Sequence, residues 1–320
     1  MNQRNRSLPP TGFHGILDTT QRSSSLANTG LHRIATRYPL TLFLVLAIGV
    51  AYVCSGLVVL AQHGIIPGGS LPAKLGLDYE RAAILLMQFL GLLPTTLVVT
   101  ALEGGRPAVR ALFRRVFRWR VGLVWWLMAL FALPLTTIPV AIILGDSFQM
   151  LSPAVFASEV VVIALTILGL NLWEETAWAG FFQTRLERRH NFYIAVVLTA
   201  IPFAAVHMPH QVISGITAPV DLATQFILLT IFGFILRSLL GTVMRGARDS
   251  ILVVGTLHAI FNECTGSDGI VAALLDGSNG QLAALLATTL LAIVAGVVMR
   301  RRLSRAHRQE LDAMNAPRAY

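Results

Sequence analysis

Long apolar stretches separated by short polar ones dominate the sequence from about residue 40 onward. Six of them could cross a bilayer as helices, because the roughly 30 Å hydrocarbon core needs about 20 apolar residues. Two shorter stretches cover residues 192–207 and 250–264. The pattern therefore predicts an all-α, polytopic membrane helix bundle of about eight transmembrane helices. The six long stretches are residues 40–62, 82–102, 121–144, 154–182, 222–244 and 281–299.

The low content of charged residues favours a membrane protein over a soluble one. Only 13% of the 320 residues are charged, whereas soluble domains contain about a quarter. Polar residues concentrate at the two ends of the chain. We therefore expect a disordered N-terminal tail at residues 1–36, a membrane domain at 37–300 and a polar C-terminal tail at 301–320.

When all eight apolar stretches are counted in chain order, arginine clusters follow the second, fourth, sixth and eighth. These clusters account for most of the net charge of +9. The intervening loops contain almost no Lys or Arg, which is the positive-inside distribution. It predicts a multi-pass protein of the cell membrane with both termini in the cytoplasm. The bilayer and its anionic headgroups account for the basic charge, and we expect no nucleic-acid partner. The clusters are Arg106, Arg110, Arg114, Arg115, Arg118 and Arg120; Arg185, Arg188 and Arg189; Arg245 and Arg248; and Arg300, Arg301, Arg302 and Arg305.

Two adjacent carboxylates, Glu174 and Glu175, interrupt the fourth apolar stretch. Ionisable groups at membrane depth are costly and usually mark a functional site inside the bundle. Neighbours on a helix point about 100° apart, so one glutamate can face a cavity while the other contacts a neighbouring helix. A buried carboxylate can exchange a proton near neutral pH, as general acid–base chemistry requires. The alternative is that the pair lies at the water boundary and merely ends a helix.

Two further polar groups occur in the shorter stretches. His207 follows Phe203 by four residues, so a helix would place both on one face. His258 and Asn262 have the same spacing. Taken singly, each group is also consistent with an interfacial histidine or with a hydrogen bond between helices.

Together, the three groups resemble the CPBP family of intramembrane proteases, also called the CAAX-protease and bacteriocin-processing or ABI family. The family pattern is E-E-x-x-x-R, then F-x-x-x-H, then H-x-x-x-N or H-x-x-x-D. The resemblance covers about residues 80–300. The matching residues are Glu174 and Glu175, Phe203 and His207, and His258 and Asn262.

The chain departs from this pattern at Ala179, where the family has an arginine four residues after Glu175. The site could therefore be altered and serve only for binding, or another cation could replace the arginine. Arg237 lies in the middle of the apolar stretch 222–244, where a charged side chain needs a partner of its own. It could pair with Glu175, or it could extend its side chain to the cytoplasmic face.

The resemblance implies peptide hydrolysis by a water molecule that Glu174 activates and His207 helps to hold. It also implies that His258 and Asn262 stabilise the oxyanion, with Glu175 as the second carboxylate of the catalytic site. The same side chains could act as a metalloprotease site, because Glu174, His207 and His258 form a zinc-like ligand set. The sequence contains no H-E-x-x-H motif, so a metal-free hydrolase and one with a divalent metal such as zinc both remain open.

The sequence therefore predicts an intramembrane endopeptidase that acts on a membrane-anchored protein or peptide, such as a prenylated one. One alternative is a non-catalytic, immunity-type or binding member of the same family. Another is a proton-coupled transporter that uses the glutamate pair as a relay.

Counted along the helices from the basic residues, His207 should lie deeper in the membrane than Glu174 and His258. For the three side chains to meet, the fifth apolar segment must start late, tilt or be broken, for example at Pro202.

Overall fold

A computed structural model describes residues 30–315 of the chain, with side chains as far as Arg301. Within this part, nearly all of the ordered structure is helical, together with one small pair of strands. The elements are α1 (Gly30–Arg37), α2 (Pro39–Gln62), α3 (Leu71–Lys74), α4 (Tyr79–Val116), α5 (Leu123–Ile143), β1 (Ser147–Phe148), α6 (Pro153–Leu186), α7 (Phe192–Ile213), α8 (Pro219–Gly246), α9 (Ile251–Thr265), α10 (Ile270–Ala273), β2 (Leu275–Asp276) and α11 (Gly280–Asn315).

The predicted all-α membrane bundle is confirmed. Each of the eight apolar stretches forms a helix, and seven of these helices in the described part of the chain are long and apolar enough to span a bilayer. The exception is α9, which has 15 residues. A helix of that length covers only about 22 Å, so α9 is not a full-length span as the prediction of eight transmembrane helices implied.

Loops at one end of the bundle are held together by arginine contacts. At this end, which we call the basic end, the guanidinium of Arg118 donates to the backbone carbonyl of Arg248. The hydroxyl of Ser250 donates to the carbonyl of Arg118 at 2.6 Å. Arg245 pairs with Glu187 at 2.9 Å. The arginine-rich loops predicted to share one side of the membrane therefore meet at one end of the structure.

The remaining loops meet at the opposite end. Strand β1, which follows α5, pairs antiparallel with β2, which precedes α11. The Nδ2 of Asn279 donates to Asp146 at 2.8 Å across the same two loops. The hydroxyl of Ser214, after α7, donates to Glu80 in the first turn of α4 at 3.2 Å. Helix α9 thus starts at the basic end and runs towards the opposite end, although it is short.

Two close helix approaches bring α9 against α6. A β-carbon at Gly180 would lie 2.5 Å from the Cδ1 of Ile251, and one at Gly255 would lie 2.9 Å from the Cα of Leu172. A β-carbon at Gly255 would require the backbone of α6 to shift, whereas one at Gly180 would require the side chain of Ile251 to move. The two glycines therefore allow the central part of α9 to pack directly against the segment of α6 that carries the glutamates.

Helix α7 begins at Phe192, three residues after Arg189, and continues without a break through Pro202. Its first residue packs beside Gly241 of α8, where a β-carbon would lie 2.8 Å from the Phe192 ring. The Nε2 of His207, fifteen residues further along α7, lies 3.7 Å from Glu174. The difference in depth that counting along the helices predicted is therefore absent, and no break at Pro202 is needed.

The terminal segments fit the expected domain limits only in part. Residues 1–29 of the predicted N-terminal tail lie outside the described residues. Residues 30–36, which we expected to be disordered, belong to α1, and Ala35 is buried. At the C-terminal end, α11 continues beyond residue 300, the expected limit of the membrane domain, as far as Asn315.

Candidate active site

The two glutamates occupy a short α-helical segment between two π-helical turns of α6. The segment is Leu172–Ala177, and the π-helical turns are Ile167–Asn171 and Trp178–Gln183. A π-helical turn contains an extra residue and is common at functional sites. Both glutamates are buried, with Glu174 7% and Glu175 0% exposed. The alternative in which the pair ends a helix at the water boundary is therefore wrong.

Glu175 is held by two partners from different helices. Both terminal nitrogens of Arg237 on α8 donate to its carboxylate, one of them at 2.9 Å. The Nδ1 of His258 on α9 lies 2.6 Å from the carboxylate oxygen Oε1. Because a carboxylate only accepts, this nitrogen carries the proton and donates it. Glu175 therefore fixes the orientation of the His258 ring.

The side chain of Arg237 is fully buried, so it does not extend to the cytoplasmic face. Its guanidinium also lies 4.8 Å from the centre of the Phe203 ring, a cation–π contact. Of the two interpretations that the sequence leaves open, pairing with Glu175 is the one observed. Glu175 is thus paired with a cation on α8, while position 179 is an alanine.

Glu174 lies between the two histidines. Its Oε1 is 3.7 Å from the Nε2 of His207 on α7, and its Oε2 is 3.9 Å from the Nδ1 of His258. The Nδ2 of Asn171 lies 3.4 Å from the same Oε2. Helices α7 and α9 therefore each bring one imidazole to within about 4 Å of a single carboxylate on α6.

The tautomer of His207 follows from its hydrogen bond. Its Nδ1 lies 2.6 Å from the backbone carbonyl of Phe203. A carbonyl can only accept, so Nδ1 carries the proton, and in the neutral ring Nε2 presents a lone pair. This lone pair faces Glu174 Oε1, which is buried and has no hydrogen-bond donor among the described residues. Two acceptors thus face each other at 3.7 Å, a separation that one water molecule can bridge by donating to both.

Asn262 joins the site through Asn171. Its Nδ2 lies 3.5 Å from the Oδ1 of Asn171, which is itself fully buried. An amide nitrogen carries two N–H bonds, so Asn262 retains one donor for another group. The structure therefore brings all five sequence-predicted residues into one cluster; besides Asn262 they are Glu174, Glu175, His207 and His258.

Sequence reasoning missed two contributors. Asn171 orients Glu174, and its only signal was a polar residue three positions before that glutamate in an apolar stretch. Arg115 had been assigned to a basic cluster. Its side chain donates to the carbonyl of Gly180 at 2.8 Å and to the hydroxyl of Thr184 at 3.1 Å. It therefore stabilises the π-helical turn that follows the glutamates.

The arrangement does not fit a metal site. In the described part of the chain, no group of three or more His, Cys, Asp or Glu side chains could hold a metal ion. The nitrogen of His258 that lies towards Glu174 is Nδ1, and its proton is already donated to Glu175. The zinc hypothesis, with Glu174, His207 and His258 as ligands, is therefore not supported.

Comparison with known proteins identifies the segment that builds this cluster. Residues 156–264 match the family model described as type II CAAX prenyl endopeptidase Rce1-like. No curated protein and no solved structure matches the chain. The match is narrower than the expected 80–300, but it contains every residue of the three motifs. Such a domain supports intramembrane endopeptidase activity in general. Residues 156–264 therefore belong to the Rce1-like type II CAAX endopeptidases, the CPBP family to which the sequence motifs point.

Proposed function

We propose that the protein is an intramembrane endopeptidase in which Glu174 activates the water molecule that hydrolyses a peptide bond. The observation that carries this proposal is the pair of facing acceptors, Glu174 Oε1 and His207 Nε2, 3.7 Å apart. A water molecule between them would donate one hydrogen to each. This geometry suits general-base catalysis, which needs the base within hydrogen-bonding reach of the proton that it takes.

The reaction then proceeds with a simple proton balance. Glu174 takes one proton from the water as its oxygen attacks the carbonyl carbon of the peptide bond. His207 accepts a hydrogen bond from the other hydrogen and so holds the nucleophile in line. When the tetrahedral intermediate collapses, Glu174 delivers its proton to the nitrogen of the departing amine. No group other than Glu174 needs to change its net protonation during the cycle.

His258 and Asn262 are suited to stabilise the oxyanion. Asn262 has a free N–H, and the Nε2 of His258 becomes a donor when the ring holds a second proton. The carboxylate of Glu175 accepts from Nδ1 and so holds the ring in position, as a carboxylate does beneath many catalytic histidines. Arg237 in turn balances the charge of Glu175. Fixed donors of this kind supply a large share of the rate enhancement in acyl transfer.

The burial of the site favours a membrane-anchored substrate. The catalytic carboxylate lies among helices that span the bilayer, so a peptide must reach it from within or beside the membrane. The matched family is that of Rce1-like type II CAAX prenyl endopeptidases, and we propose a prenylated or otherwise lipidated protein or peptide as substrate. By the positive-inside rule we place the basic end, and with it both termini, in the cytoplasm.

Reconstitution in proteoliposomes tests the proposed function against its alternatives. We expect cleavage products from a library of membrane-anchored peptides, with and without prenyl groups. Proton-linked uptake without cleavage would instead indicate a transporter. Tight binding of a peptide that is never cleaved would indicate a non-catalytic member of the family. Metal analysis of the preparation and a chelator control, in which we expect activity to persist, test the metal-free mechanism.

The oxyanion role predicts the effect of Asn262→Ala. Removing one such donor typically lowers kcat by about 10²–10³, with a smaller effect on KM because the donor acts mainly in the transition state. Steady-state kinetics in liposomes provide the measurement. The matched control is Thr265→Ala, since that hydroxyl, three residues along the same helix, donates to the backbone carbonyl of Phe261 at 3.0 Å. Equal kinetics for the two variants would contradict the role of Asn262.

A further inference from the structure

Three buried polar side chains near the site have no hydrogen-bond partner among the described residues. They are Ser55 on α2, Gln88 on α4 and His210 on α7, each 3% exposed or less. Both polar atoms of Gln88 and both ring nitrogens of His210 are unpartnered. Buried polar groups in proteins are nearly always satisfied by protein or by internal water. In a membrane protein no bulk solvent lies nearby to serve instead.

Contacts between the helices bring these three side chains to the same region. The hydroxyl of Tyr52 on α2 donates to the carbonyl of Ala205 on α7 at 3.0 Å. Ser55 lies one turn beyond Tyr52, and His210 lies just over one turn beyond Ala205, and both steps lead towards the opposite end of the bundle. The two side chains therefore share one level of the α2–α7 interface.

Gln88 approaches the same level from α4. A β-carbon at Gly91 would touch the backbone of Ala47 and Ala51, which fixes how α4 lies against α2. The two helices run in opposite directions, so Gln88, three residues before Gly91, lies towards Ser55. Gln88 is also within a π-helical turn, Met87–Leu92, and such turns are frequent at functional sites.

His210 connects this region to the catalytic cluster. It follows His207 by three residues on α7, so both rings lie on one face of the helix. Their centres are 5.9 Å apart, too far for a direct hydrogen bond but close enough for one bridging water. His207 in turn faces Glu174. His210 and His207 thus connect the level of the bundle at which Ser55 and Gln88 lie with the carboxylate of Glu174.

We propose that Ser55, Gln88 and His210 line an internal water-binding pocket that adjoins the Glu174–His207 pair. Its role, which rests on the proposed endopeptidase function, is to resupply the water that each hydrolysis consumes. His210 is then a positioning residue, because it holds the second water molecule and does not touch the substrate. Peptide hydrolysis uses one water per turnover, and the apolar surroundings make a local store necessary.

Radiolytic hydroxyl-radical footprinting in nanodiscs tests the pocket without any need for activity. Radicals form from bound water and oxidise nearby side chains, methionine readily. Met87 directly precedes Gln88 and is 2% exposed, and Met244 is 5% exposed; each methionine packs in an apolar cluster, but only Met87 is next to a side chain of the proposed pocket. We expect Met87 to be oxidised several times faster than Met244, with the exposed Met150 as a positive control. The His210→Phe variant, which fills the pocket with an apolar ring, should bring Met87 down to the rate of Met244.

Kinetics with the same variants test the supply of water. We expect His210→Phe to lower kcat about fivefold to tenfold, the effect of losing one ordinary hydrogen bond, with KM unchanged. His210→Gln should restore part of the loss. Thr199→Val on the same helix is the matched control, because that hydroxyl donates to the carbonyl of Ala195 at 2.8 Å. Gln88→Leu tests the same pocket from α4 if His210→Phe does not fold.

The two readouts separate the pocket from the proposed function. Two results would overturn the pocket. One is equal oxidation of Met87 and Met244 in the unmodified protein, and the other is an oxidation rate of Met87 that stays unchanged in both His210→Phe and Gln88→Leu. Oxidation as expected in a protein that never cleaves peptides leaves the pocket in place and rejects the endopeptidase. Oxidation as expected with unchanged kcat in the variants rejects the supply role alone.

Discussion

The Glu174→Gln variant should retain its fold and lose peptide cleavage almost completely. Glutamine keeps the size of the side chain and can still accept the hydrogen bond from Asn171, but it cannot take a proton from water. Loss of a general base typically lowers the rate by about 10²–10⁴. Turnover of a membrane-anchored peptide in liposomes gives the rate, and an unfolding curve in detergent verifies the fold.

Glu263→Gln is the matched control for this experiment. Glu263 is also a buried carboxylate, 7% exposed, and its Oε2 accepts from the backbone N–H of Ile270 at 3.2 Å. A glutamine oxygen can accept the same bond, so cleavage should continue at the normal rate. Undiminished turnover in Glu174→Gln would exclude this residue as the base, whereas equal losses in both variants would indicate damage to the bundle.

Features that depend on local pattern were well predicted from the sequence. Each apolar stretch forms a helix, since a backbone in lipid must satisfy its own hydrogen bonds and the helix does so within one segment. The separation of four residues within F-x-x-x-H and H-x-x-x-N places each pair on one helix face. The motifs therefore identified the side chains of the cluster before any helix positions were known.

Features that depend on how helices pack could not be predicted in the same way. The shortness of α9 is compensated by close contacts at Gly180 and Gly255, which the sequence presents only as ordinary glycines. The depth predicted for His207 was wrong as well, because its Nε2 lies 3.7 Å from Glu174. Linear counting of residues along helices assumes a common starting plane, and this bundle has none.

The π-helical turns of α6 explain why the spacing along this helix did not show how Glu175 is paired. A periodicity of 3.6 residues places Ala179 beneath Glu175, and this made the missing arginine look like a loss of charge pairing. The extra residue in the turn Trp178–Gln183 changes that periodicity. Ala179 instead packs in an apolar cluster with 3% exposure. The partner of Glu175 comes from α8, where the sequence offered Arg237 as one of two alternatives because a charge within an apolar stretch needs a partner.

The Arg237→Leu variant should be severely destabilised. Its pair with Glu175 is fully buried on both sides, and removing one partner leaves the other charge in apolar surroundings. The expected cost is about 3–5 kcal/mol. Cleavage should also fall, because Glu175 would no longer hold His258 in a fixed orientation. Reversible unfolding in mixed detergent micelles measures the free energy of unfolding.

Arg245→Leu serves as the matched control, because Arg245 lies on the same helix and pairs with Glu187 at 2.9 Å, with side chains 36% and 18% exposed. Exposed pairs contribute between zero and about 1 kcal/mol, so this variant should unfold nearly as the parent does.

A double-mutant cycle isolates the interaction between Arg237 and Glu175. Glu175→Gln combined with Arg237→Leu should be less destabilised than Arg237→Leu alone, since no unpaired charge remains. A coupling between residues in direct contact is typically about 0.5–3 kcal/mol. Arg237→Lys should fall between the extremes, because an ammonium keeps the charge but cannot donate to both carboxylate oxygens in the same fork geometry. A coupling energy of zero would mean that Glu175 is held in its neutral form by a proton, and that Arg237 does not replace the arginine absent at Ala179.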